Sequence, residues 1–461
     1  MGVGNWLYNF PEVSQPSQRR LPFKEKLKWT LITLIIFFIL GLIPLFGLGA
    51  NALEQFEYLS AILAAEFGSI ISLGIGPIVT ASIVLQLLNG SGMVKFDLTS
   101  QEGKKRFHGV QKWLAVGFVI FEAFIYVFMG GLAPPEAFLG TPTYASLQML
   151  LIFQLILGGL MIMLMDDVIN KWGFGSGVSL FIAAGVSKQI IVRAFNPLPS
   201  PTNPEVAAGA VPALVQHLAA GEPTAALLLM ASIIATAAVF ALAVFGQAMK
   251  VEIPLSFGRV RGYGIRWPLS FIYTSNIPVI LISALIANFQ LWARLFQNWG
   301  HPILGTFVGN SPATGLIAWL FAPNIVEKII TNSLTLQHIG QAGFYTLFLV
   351  VGSVIFSIFW VQTSGMDARS QAKNIMASGL QIPGFRRDER VLEHILKRYI
   401  GPLTIMGAIL VGLLAAIADL SGALAHGTSI LLAVMIIYKL YEELATQHMY
   451  DMNPMMRKFM E

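Results

Sequence analysis

The sequence predicts an all-α, polytopic membrane protein of about ten transmembrane helices, and three observations carry that expectation. The first is composition. Of 461 residues, 55% are hydrophobic and only 11% charged, whereas soluble domains carry about 25% charged residues. Such a chain cannot clothe a water-facing surface. The second is spacing, because apolar runs of roughly 20 residues, the length that crosses a bilayer, recur along it. The third is a break. Residues 57–88, EYLSAILAAEFGSIISLGIGPIVTASIVLQLL, are too long for one ordinary span and are interrupted by Gly68, Gly74, Gly76 and Pro77. None of these suits a helix interior. Irregular backbone at membrane depth survives only when buried in protein or lining a watery cavity.

Taken in order, the runs lie near 28–47, 75–90, 110–131, 144–165, 174–193, 224–247, 268–291, 341–362, 399–417 and 427–445. Before them, the start of the chain is mixed and polar, with Gly2, Gly4, Pro11 and Pro16, and reads as no cleavable signal peptide. Met1-Gly2 resembles a myristoylation start, but Trp6 stands where Ser or Thr is needed. Lys and Arg fix the direction. Clusters such as Arg19–Arg20, Lys104–Lys105–Arg106, Arg259–Arg261 and Arg386–Arg387 all fall on one side. About 25 of the 29 basic residues do so, which the positive-inside rule assigns to the cytoplasm. Lys188, Arg193, Arg294 and Lys328 fall opposite. Both termini are therefore expected in the cytoplasm.

Five is odd, so two sets of five spans face opposite ways, and a cavity is expected where such inverted halves meet. The expected division is a cytoplasmic segment 1–27, a half 28–193, an external linker 194–223, a half 224–446 and a cytoplasmic tail 447–461. Two cytoplasmic loops lie in the second half. The loop at 248–267 alternates Arg259, Val260, Arg261 among glycines and suits an exposed hairpin. The loop at 363–398 reads as helix, Pro383-Gly384 turn, then a basic helix entering the membrane. Arginines 259, 261, 386 and 387 should project beyond the headgroups, where they suit an acidic partner such as ribosomal RNA through its phosphates. Outside, 296–341 is a longer excursion whose GLIAWLFAP is too short to span.

Downstream of the break, Ile75, Val79 and Ile83 repeat every four residues and give one face that is purely branched aliphatic. Lining a pore, such a stripe makes a seal rather than a polar binding site. Catalytic chemistry is sparse. Cysteine is absent, and all seven histidines fall in loops or at span ends. There is no HExxH, paired mid-membrane Asp or Walker loop. The deep acids reduce to Glu122 and Glu66, too few for the relays of ion-coupled pumps. The chain reads as a non-enzyme that needs no bound cofactor and no metal.

Five motifs then align in order. GIGPIVTASIVLQLL (74–88), KWGFGSGVSLFIAAGV (171–186), TSNIPVIL (274–281), IPGFRRDER (382–390) and GTSILLAVMIIYKLYEEL (427–444) resemble the SecY family in its archaeal form, the channel subunits of the Sec protein translocase. The resemblance runs along nearly the whole chain. It implies two inverted five-helix halves around a central hourglass pore. The constriction would be formed by Ile75, Val79, Ile83, Phe174, Val178, Ile277 and Leu432, although the family usually has a smaller aliphatic where Phe174 stands. It implies a half-helix plug near 57–71, seated through the small residues Ser60, Ala61, Ala64, Ala65 and Gly68. It also implies a lateral gate between spans two and three and spans seven and eight, with Thr80, Glu122 and Asn276 as its polar cluster. Pro278 would be positioned to kink the seventh span. A collar of aliphatic side chains offers water and ions no hydrogen bonds, so a narrow one dewets and blocks conduction.

The expected function is a central protein-conducting channel that passes secretory polypeptides across the cytoplasmic membrane and releases membrane segments sideways into lipid. The implied partners are SecE-like and small beta subunits in a heterotrimer, the ribosome, the signal-recognition-particle receptor, signal sequences and nascent chains. The alternative is an inverted-repeat secondary transporter of a small solute, which would place polar ligands where this chain has its aliphatic stripe.

Overall fold

The computed structural model describes residues 12–17, 21–51, 64–90, 93, 94, 96, 101–200, 205–257, 264–274, 277–308, 311–377, 380–381, 388–425 and 427–452. Ten long helices follow the ten expected spans in order. They are α1 (Phe23–Gly41), α2 (Gly76–Gly90), α3 (Gln101–Phe128), α4 (Pro142–Trp172), α5 (Gly177–Phe195), α6 (Pro223–Ala248), α7 (Ile277–Asn298), α8 (Leu336–Thr363), α9 (Glu389–Leu420) and α10 (Gly427–Met452). Among the described residues, α3 through α9 supply seven helices long and apolar enough to cross a membrane. Helix α2 is apolar but shorter, and α1 and α10 carry charge at one end (Lys24, Lys26 and Lys28; Lys439, Glu442 and Glu443).

Within the first five helices, α2 packs on α3, α3 on α4, and α4 on α1 and α5. In the second five, α8 packs on both α7 and α9, and α10 on α6 and α9. The sets meet along two seams, α5 against α10 on one side and α2 against α7 and α8 on the other. The largest apolar cluster joins residues of both sets. A second links α3 and α4 to the far end of α7.

The break before α2 is a run of turns rather than helix. Residues 64–71 were expected to belong to a half-helix, but turns and one bridge occupy them, and the rest of that half-helix lies outside the described residues. Side chains explain the difference. Ser69 Oγ donates to Glu66 O (2.7 Å), Ser72 Oγ donates to Ser69 O (2.5 Å), and Gly68 N donates to Ser72 Oγ (2.9 Å). Serines that capture nearby backbone in this way compete with helical bonding. Gly68 and Gly74 take positive φ, 93° and 55°, a region open to glycine. The strip is held by Leu45 N to Gly68 O and Ile70 N to Ile43 O (2.9 and 3.0 Å). A Cβ at Gly158 of α4 would lie 1.8 Å from Ile70 O, so α4 presses directly on this backbone.

The seventh span is shifted from its expected place. Strand pairing runs to Ser270 and residues 271–274 are turn, so the described helix begins at Ile277. Pro278 therefore lies in its first described turn, where no intrahelical donor is required. Among the described residues no helical turn precedes it to be kinked.

The expected hairpin is present. Lys250–Phe257 pairs antiparallel with Gly264–Ser270, Val251 opposite Leu269, and Leu380–Gln381 adds to its far edge. Its base shares a buried cluster with the helix Ala368–Ala377 and the start of α9, through Ile253, Leu269, Ile375 and Leu392 among others. Tyr273 Oη donates to Met366 O (2.7 Å). The two basic loops thus form one platform. Arg259, Arg261, Arg386 and Arg387 lie outside the described residues. At the opposite end, the excursion folds over α7 and α8, with Ile317 and Leu320 buried and Gln341 Nε2 donating to Phe321 O (3.0 Å).

Candidate functional site: an aliphatic collar and a polar seam

Ile75, Val79, Ile83 and Leu432 are each at least 96% buried and belong to one apolar cluster. Val178 and Ile277 pack against that cluster while remaining partly exposed. Helices α2, α5, α7 and α10 therefore bring six of the seven expected constriction residues together. The cause is local. The four-residue stripe running from the turn before α2 into that helix keeps Ile75, Val79 and Ile83 on one face, and Val178 is fixed in the first turn of α5, where its backbone N–H donates to Asp166 Oδ1 of α4 (2.8 Å). Phe174 does not join them. Its ring lies 5.4 Å from that of Phe23, with Lys26 Nζ 5.5 Å from its centroid, at the start of α1. A large aromatic finds a flat apolar and cationic surface there, and its backbone N–H donates to Thr30 Oγ1 (3.0 Å). Ile280, one turn past Ile277 in the same motif, is buried in the cluster and was not among the expected constriction residues.

The cluster bounds a cavity of about 1040 Å³. Val79, Val178, Ile277 and Ile280 line its apolar wall, while Ser82, Gln86, Gln111, Asp166 and Asn170 supply polar groups. Its mouth lies at the end that carries the basic loops, among Lys104, Lys112 and Thr363. Residues 12–14 cross there. Glu12 pairs with Lys112 (2.7 Å) and Lys171 (2.8 Å), and Trp172 Nε1 donates to Ser14 O (2.9 Å). Burial pushes the Glu12 carboxyl up, but the two lysines outweigh it and hold it below the usual range.

Along the α2–α7 seam, Asn288 Nδ2 of α7 donates to Thr80 Oγ1 of α2 (3.1 Å). Glu122 of α3 shares a hydrogen bond with the same hydroxyl. Thr80 and Glu122 therefore meet as expected, and Asn288 joins them. Asn276, expected in that place, lies outside the described residues. The signal for Asn288 was available, since it is an amide in the middle of an apolar span. On the next pair, Thr274 and Ser357 hydroxyls lie 3.0 Å apart. The seam is incompletely bonded. Gln86 Oε1, Glu122 Oε2 and Ser283 Oγ are buried with no hydrogen-bond partner among the described residues.

Of the expected plug residues, Ala64 and Ala65 are buried and Gly68 sits in the serine-bonded turns, while Ser60 and Ala61 lie outside the described residues. Lys188 of α5 pairs with Glu66 (2.5 Å) just beyond them. No group of three or more metal-ligating side chains occurs among the described residues.

Two sets of long apolar helices, joined by a shared aliphatic cluster and by polar contacts between α2, α3 and α7, have the architecture of a polytopic membrane protein. The comparisons agree. The SecY family matches residues 69–441, and the plug domain of Sec61p matches 35–68. A protein translocase subunit SecY of Methanothermobacter thermautotrophicus is 46% identical, with 98% of this chain and 96% of that protein covered. A solved structure described as that of a protein conducting channel superposes with a TM-score of 0.83 at 38% identity, covering 98% of this chain and 99% of that one. Sec61 in a canine ribosome-channel complex gives 0.80 at 38% identity over the same shares. The chain belongs to the SecY family.

Proposed function

We infer that this protein is the protein-conducting channel subunit of a translocase, a passive conduit and not an enzyme. The observation that carries this reading is the shared aliphatic cluster of α2, α5, α7 and α10, part of which walls a largely apolar cavity with a few polar groups. A polypeptide enters the cavity, displaces the plug and threads the collar, whose flexible, non-directional side chains mould to any sequence. Apolar segments instead part the α2–α7 seam. Sorting follows from transfer energies, with Leu or Ile favouring the membrane by about 0.3–0.6 kcal/mol and Asp, Lys or Arg disfavouring it by roughly 2.5–3.5. The same collar argues against a small-solute transporter, which needs polar ligands there.

The basic end, holding both termini and the hairpin platform, faces the cytoplasm by the positive-inside rule. That platform suits the ribosome through Arg259, Arg261, Arg386 and Arg387, in keeping with the ribosome-bound relative, and the signal-recognition-particle receptor on the same face. SecE-like and beta subunits complete the assembly. Driving energy comes from translation. The test is a reconstitution. Proteoliposomes holding the complex should import a signal-bearing precursor delivered by ribosomes, and a precursor without its signal should stay outside. Uptake of a small solute driven by an ion gradient, without precursor import, would overturn the reading.

A further inference from the structure

The described part of the loop joining α9 to α10 turns inward, from partly exposed residues 421–424 to the buried Ala425. Leu424 N donates to Thr236 Oγ1 near the middle of α6 (3.0 Å), and Arg193 Nη1 of α5 donates to Leu424 O (3.0 Å). Helix α10 therefore starts inside the bundle. The first N–H groups of a helix have no intrahelical partner, and water is scarce at that depth. Asp419, at the end of α9, meets the need. Its Oδ1 accepts Thr428 N (2.6 Å), its Oδ2 accepts Tyr345 Oη of α8 (2.6 Å) and the Thr428 hydroxyl, and Gly427 N also bonds it. Both Asp419 and Tyr345 are buried. A Cβ at Gly427 would lie 1.9 Å from the Ala418 carbonyl carbon, so the start of α10 sits directly on the end of α9. Thr428 and Leu432 are four residues apart, hence on one face of α10.

From this geometry we infer that Asp419 is a positioning residue for the collar: by tying α8, α9 and the first turn of α10 into one joint, it sets the height and rotation at which Leu432 meets Ile75, Val79 and Ile83. The inference rests on the collar reading above. Charge-assisted bonds to a carboxylate are the stronger kind, so the joint outlasts the weaker seam bonds when the channel parts. Leu432 then moves with α8 and α9 as one body.

The test compares resting ion conductance of the intact complex in planar bilayers for wild type, Asp419→Asn, Tyr345→Phe and Leu432→Gly. It adds a nitroxide distance between Tyr441 of α10 and Leu87 of α2, both exposed. Asp419→Asn should leak about tenfold more than wild type, the ratio expected when one charge-assisted bond is lost, and should shift or broaden the distance. Tyr345→Phe should do the same more weakly. A folded Asp419→Asn with wild-type conductance and distance overturns the inference. Should that variant fail to accumulate, wild-type behaviour of Tyr345→Phe overturns it equally. A leaking Leu432→Gly beside a tight Asp419→Asn would reject the positioning role alone, whereas tightness of both would reject the collar and the inference with it.

Discussion

The collar and the seam occupy neighbouring faces of α2, yet they are built from opposite chemistry. At the collar, Ile75, Val79, Ile83, Ile280 and Leu432 are packed without a polar atom among their side chains. About 100° around α2 from Val79, Thr80 bonds to Asn288 and Glu122, and Ser283 Oγ, Gln86 Oε1 and one Glu122 oxygen remain without partners among the described residues. The difference is instructive. A seal that must close on anything cannot rely on directional bonds, whereas a seam that must part needs bonds that are specific but few. An interhelical hydrogen bond in a membrane averages about 0.6 kcal/mol, and emptying a buried aliphatic site costs about 2–5 kcal/mol. On the function proposed above, the collar is the firm element and the seam the yielding one.

That contrast breaks most readily at the collar. Ile83→Gly or Val79→Gly should raise resting conductance about tenfold or more, in line with the cost of large-to-small changes in a packed core. Planar-bilayer recordings check it, and unchanged conductance would remove the assignment. Next in size, reversing Arg386 and Arg387 to Glu should weaken ribosome docking by an order of magnitude or so at low salt, with the difference shrinking as salt rises. Co-sedimentation with ribosomes measures it.

At the seam the effects are smaller and of opposite use. Asn288→Leu or Thr80→Val should raise translocation of precursors with weak signal sequences about threefold, the factor set by one interhelical bond, with no rise in resting conductance. A leak equal to that of Val79→Gly would show that seam and collar are not separable.

The smallest effect belongs to the strap at the cavity mouth. Glu12 titrates below its ordinary value because Lys112 and Lys171 together outweigh its burial. A depressed carboxyl contributes stability above its unfolded value, about 4.3, and loses that contribution as pH falls through the folded one. Trp172 fluorescence, reporting the Trp172–Ser14 contact, should stay constant from neutral pH to the mid-acid range and change below it. Glu12→Gln should show the changed signal at every pH.

How much was legible depended on whether a feature was local. The order of the helices, the α2 stripe and the hairpin each declare themselves within one segment, and apart from the shifted seventh span they appear where expected. What failed was set by partners distant in the chain. Phe174 left the constriction because α1 offered Phe23 and Lys26, a surface 144 residues away by the bond to Thr30. Asn288 went unnoticed because it sits in no motif, and the hydrogen bond that marks it joins residues 208 apart. Residues 64–71 read as helix on apolar content, and only the serine bonds and the pressing Gly158 show why they turn. The Asp419 joint likewise needs three helices to be seen.

The most direct test of the central claim is site-specific crosslinking of a stalled, signal-bearing chain. A photoreactive side chain at Val79, Ile280 or Leu432 should capture the translocating polypeptide. One at Phe240 or Ile417, exposed on the outer faces of α6 and α9 and expected to meet lipid, should capture none of it. Equal capture at both sets, or capture at the outer set alone, would contradict a polypeptide path through the aliphatic collar.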